Sequence, residues 1–138
     1  MTPLELSTES RVFAGVLLVT IVTIQSGGYA MLAVNTGRKA ATELQRRFFR
    51  AGHAHAGVFV TLALVTQVLV DAADVSGPFE WLARYGVAWA AILLPAGFFL
   101  SVAPAGSTRP NALIHLVHLG AVGLALGTLS LGIGLLMA

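Results

Sequence analysis

"RRFFRAGHAHAGVFVTLALVTQVLVDAA", residues 46–73, passes from three arginines through two histidines into an unbroken apolar run that closes on Asp71. From Ala51 onward the run is continuously apolar, with none of the alternation that marks a half-buried strand. Its length matches the roughly 20 residues with which an α-helix crosses about 30 Å of hydrocarbon. Three further runs, at 12–34, 86–103 and 111–138, share this character.

Together the four runs leave almost nothing over, so residues 1–138 read as a single domain. Of the 138 residues, 57% are hydrophobic and 10% are charged, against about 25% charged in an ordinary soluble domain. In lipid each backbone N–H and C=O must be satisfied within its own segment, which restricts the spans to helices. The expected fold is therefore all-α, an integral membrane four-helix bundle. Glu5 and Glu9 precede the first run where a cleavable leader would carry positive charge, so that run reads as a retained helix.

Charge distribution orients the bundle. Arg38, Lys39, Arg46, Arg47 and Arg50 share the connection between spans one and two, opposed only by Glu43. By the positive-inside rule this connection is cytoplasmic. Asp71, Asp74 and Glu80 then lie outside, the turn "APAGSTRP" at 103–110 returns inside, and both termini are extracytoplasmic. The basic connection is short and has no interleaved aromatic platform, so no nucleic-acid partner is expected. One lysine against seven arginines, with abundant Ala, Gly, Val and Leu, fits a GC-rich bacterial source and a plasma membrane.

Local signals refine the reading. "RKAATELQRRFF" is rich in helix formers and is expected to be partly helical. Pro110 suits the first turn of helix four, and Pro95 is expected to bend helix three. Gly120, Gly123, Gly127 and Gly134 fall within about 60° of one another and should let a neighbouring helix approach closely. Gly27 and Gly28, beside Tyr29, mark a kink, a close crossing, or a place where helix one opens its backbone toward a ligand. Trp81 and Tyr85 read as interfacial aromatics.

With the topology fixed, His53 and His55 begin span two, and His115 and His118 begin span four, at the same cytoplasmic depth. Polar groups at such depth are costly and face a bundle interior or a functional cavity. At about 100° per residue, His115 and His118 are about 60° apart and can approach one ion. His53 and His55 are about 200° apart and cannot. His53 shares its face with Gln67 and Asp71, a polar stripe leading outward. The expected metal ligands are His53, His115 and His118, with His55 turned to a second cofactor, another helix, lipid or a neighbouring subunit. Tyr29 is placed to reach the same layer. The chain has no cysteine, which excludes disulfides and thiolate ligation. Imidazole-rich sites suit Fe, Cu, Zn or Ni, or haem b.

Two resemblances follow from these residues. "HAH" at 53–55 resembles the His-x-His on one helix of haem–copper oxidases and related membrane haem proteins, whose two imidazoles serve different cofactors. Size, span number and "RRFFRAGHA" resemble the small trimeric four-helix membrane proteins of eicosanoid and glutathione metabolism. In that family the second helix opens with an Arg-Ala pair, here Arg50 and Ala51; its following Asn and Glu fall at Ala54 and Gly57. The first resemblance implies imidazole ligation. The second implies a transferase or isomerase acting on lipophilic substrates, with Arg47 or Arg50 gripping a glutathione-like cosubstrate. Two further readings are a proton or metal-ion transporter using His53, Gln67 and Asp71, and an accessory subunit of a larger membrane complex. A homo-oligomer is compatible with all of them.

Overall fold

The computed structural model describes residues 5–73, 75 and 77–138; Asp74, read above as lying outside the membrane, is not among them. It contains four long helices: α1 (Thr8–Asn35), α2 (Glu43–Ala73), α3 (Pro78–Ser101) and α4 (His115–Met137), the last preceded by a 3-10 turn at Ala112–Ile114. All four are long and apolar enough to cross a membrane. This is a multi-pass membrane protein.

The termini of these helices are set by capping chemistry. Ser7 caps α1, its Oγ accepting from the Ser10 amide at 3.1 Å. This satisfies one of the donors that a helix start leaves without an intrahelical partner. Gly77 takes φ +68° ahead of Pro78, the first residue of α3, where proline forfeits no hydrogen bond. Asn111 caps the 3-10 turn by accepting from the Leu113 amide at 2.8 Å. Pro110 therefore lies just outside helix four instead of in its first turn. Helix three begins eight residues earlier than the apolar run from Gly86, because aromatics and an intrahelical Glu80–Arg84 pair extend it toward Pro78.

The arginine-rich segment from Glu43 onward belongs to α2 itself, a helix of 31 residues. At about 1.5 Å per residue it exceeds the hydrocarbon thickness, so its charged first turns project beyond the apolar layer.

Packing mostly follows chain order. α2 lies against α1 and α3, α3 lies against α4, and α4 also touches α2 more lightly; among the described residues the backbones of α1 and α4 nowhere approach. The bundle is thus open, with α1 and α4 on its flanks. The α3–α4 crossing is the tightest: a Cβ placed on Gly86 would lie 2.7 Å from the Gly127 Cα and 2.7 Å from the Gly123 carbonyl oxygen. Gly120 meets Leu93 and Leu94 in the same way. A core of Leu17, Val60, Ala63, Val87, Ala88 and Ala91 joins α1, α2 and α3 at mid-height.

At one end, the connections 36–42 and 102–111 are bound together. Thr42 Oγ1 donates to the Ser107 carbonyl at 2.7 Å, and Gln45 Nε2 donates to the carbonyls of Val102 and Pro104, each at 3.0 Å. Both basic connections therefore occupy one end of the molecule, and Glu9, Asp71 and Glu80 gather at the other.

Candidate histidine site and the buried ion cluster

The four histidines occupy one layer near the basic end. The His55 ring centroid is 5.0 Å from that of Phe98 on α3, while the neighbouring Gly97 abuts Leu116 and Val117 of α4. Depth is shared, but direction is not.

His53 faces α1, with its ring against Gly27 and Gly28, through which α1 continues as helix. His55 turns toward α3, packed by Phe98 and Phe59, and its Nδ1 is 2.6 Å from the Ala51 carbonyl oxygen. The two imidazoles thus diverge onto different helices, as two residues at i and i+2 must. Tyr29 is exposed and, among the described residues, makes no hydrogen bond to an imidazole.

His115 and His118 lie on the exposed side of α4, with ring centroids 5.7 Å apart. Because the glycines hold a different side of α4 against α3, both imidazoles face out of the chain. His53 does not join them: among the described residues no three His, Asp or Glu side chains gather closely enough to hold an ion. The reason is architectural, since His53 is covered by α1 and the α4 pair sits on the opposite flank. Neither His115 nor His118 has a hydrogen-bond partner among the described residues, whereas His55 is satisfied locally. Asn111, four residues before His115, is occupied as a cap and donates through Nδ2 to the Leu100 carbonyl at 3.2 Å.

At the acidic end lies a cluster centred on a residue that sequence reading did not single out. The Arg84 side chain is 6% exposed, and its Nη2 is 3.1 Å from Asp71 Oδ1 and 3.1 Å from Glu80 Oε1. Nη1 donates to Ser10 Oγ, which in turn donates to the Gln67 carbonyl. Asp71 also accepts from the Ser7 amide at 2.8 Å, and the Tyr85 hydroxyl donates to Glu9. Three helices are thereby tied through one guanidinium. Gln67 Nε2 donates to the Arg84 carbonyl at 2.9 Å, but its buried Oε1 has no partner among the described residues. A cavity of about 370 Å³ lined by Glu5, Ser7, Asp71, Glu80 and Arg84 opens onto the cluster.

The polar stripe of α2 is discontinuous. Gln67 and Asp71 belong to this cluster and His53 to the opposite layer, with the Val60 and Leu17 core between them. Arg47 and Arg50 sit exposed on the first turns of α2, Arg47 paired with Glu43 at 3.0 Å and Arg50 Nε donating to the Arg46 carbonyl.

No protein-family model, curated protein or solved structure matches the chain.

Proposed function

We propose that this multi-pass membrane protein binds a transition-metal ion through His115 and His118. The observation that carries the reading is the pair itself: two adjacent imidazoles, exposed and without partners among the described residues, at the start of a helix long and apolar enough to cross a membrane. Left against lipid, two unpaired polar rings are unfavourable, and polar residues at such depth commonly mark a binding site. Imidazole nitrogens with neither thiolate nor carboxylate beside them suit Zn, Cu, Ni or Fe(II).

The same geometry favours an ion over haem b for this pair. Bis-imidazole haem ligation needs one ring on each face of the porphyrin. A macrocycle between rings from successive turns of one helix would have to occupy the helix backbone. In this reading His53 and His55 shape the layer and pack the helices, and Arg84 with Asp71 holds the far end closed.

Detergent-purified protein should retain or take up one of these ions, read by elemental analysis and by Co(II) absorbance, and H115A and H118A should each lose it. Preparations that stay metal-free after incubation with all four ions would end this reading. A Soret band that survives both substitutions would instead favour haem held elsewhere.

A further inference from the structure

We infer that the metal site is shared between two copies of this chain, which pair in parallel along α4 and contribute His115 and His118 each to one four-imidazole centre. The inference rests on the metal-binding reading above and names the partner that completes it.

The argument begins from ligand number. A closed zinc-type site takes four ligands in a tetrahedron, and one chain offers two on this face. No further side chain of the same chain completes the set, since among the described residues no group of three candidate ligands forms. The missing ligands must come from another molecule, and a second copy supplies the same pair by symmetry.

The surface that carries the histidines has the pattern such pairing needs. Leu119, Val122, Leu126, Leu129 and Ile133 are all exposed. From His115 they recur at alternating steps of four and three, the spacing of a left-handed two-helix seam. His115 heads this line, and His118 flanks it by about 60°. Copies inserted in one membrane orientation can form a closed pair only about an axis along the membrane normal, which makes the contact isologous. Depth then matches automatically: each His115 meets its equivalent at the same level. With helix axes about 8–10 Å apart, rings from both helices point into the space between them, where a dication joins four neutral donors that otherwise have no attraction for one another.

The chain has no cysteine, so a single introduced thiol can form only intermolecular disulfides. V122C, at the centre of the seam, is compared in liposomes with V16C on the exposed face of α1, and zinc and cobalt stoichiometry is measured on the cysteine-free protein. The expected result is one ion per two chains, a tetrahedral Co(II) spectrum, and oxidative dimers of V122C but not of V16C. H118A should lower ion affinity by more than about 100-fold, beyond the range usual for loss of a supporting residue, so that the ion is lost on purification, and should reduce V122C cross-linking. One ion per chain without V122C dimers would overturn the shared centre while leaving metal binding intact. V122C dimers with no ion bound would overturn both.

Discussion

Arg84 of α3 and Asp71 of α2 meet at 3.1 Å with both side chains more than nine-tenths buried. That ion pair is the hub from which Ser10 and Ser7 fasten α1. Removing the guanidinium leaves Asp71 buried without its counter-charge, a situation that typically costs about 3–5 kcal/mol. R84A should therefore lower the thermal midpoint in detergent far more than E80A, whose carboxylate is 41% exposed and is one of several partners. A midpoint for R84A equal to that of E80A would contradict the hub role.

The α3–α4 crossing gives a steric prediction. A Cβ on Gly127 would stand 2.9 Å from the Gly86 Cα and 3.0 Å from the Leu82 carbonyl oxygen, backbone atoms that cannot swing aside. Gly132, on the same helix, has nothing within 4 Å of such a Cβ. G127L should cost about 1–3 kcal/mol or separate the helices, whereas G132L should leave the thermal midpoint within a degree or two. Equal effects would mean that α4 is not docked through its glycine side.

The two histidines of α2 should behave differently from the pair on α4. His55 is held as an aromatic between Phe59 and Phe98, so H55F should fold with near wild-type stability. H53A should leave ion stoichiometry unchanged, because that ring faces α1 on one flank while His115 and His118 face outward on the other. Should H53A abolish binding as completely as H118A, all three rings would have to converge in the assembled protein, and the assignment of the ion to α4 alone would fall.

Much of the architecture was legible from residue order alone, and the reasons are physical. Span number follows from apolar length, and the divergence of His53 from His55 follows from helical pitch. The glycine side of α4 was readable because its residues lie at helical spacing. What could not be read was azimuth between helices. Which flank α4 occupies depends on its docking against Gly86 and Gly97, and that docking turned His115 and His118 outward and away from His53. Arg84 was missed for a related reason: in sequence it stands among Trp81 and Tyr85 as one charge at a span boundary. Only tertiary folding brings Asp71 and Ser10 to it, beside its own i−4 neighbour Glu80. The available signals were Glu80 at i−4 and the otherwise unexplained Asp71 at the end of a polar stripe.

The joined basic connections yield a topological prediction. Thr42 and Gln45 hydrogen-bond to the 102–107 turn, so residues 38 and 106 must emerge on the same side of the bilayer whichever way the protein inserts. The excess of Lys and Arg in residues 38–50 favours the cytoplasm for that side. Single cysteines at Arg38 and Gly106, in sealed right-side-out vesicles, should resist an impermeant maleimide until the membrane is opened, while a cysteine at Phe79 should react at once. Reaction of only one of the first two would break the shared end. The depth match between the α2 and α4 histidines would go with it, because α2 and α4 could then no longer start from a common level.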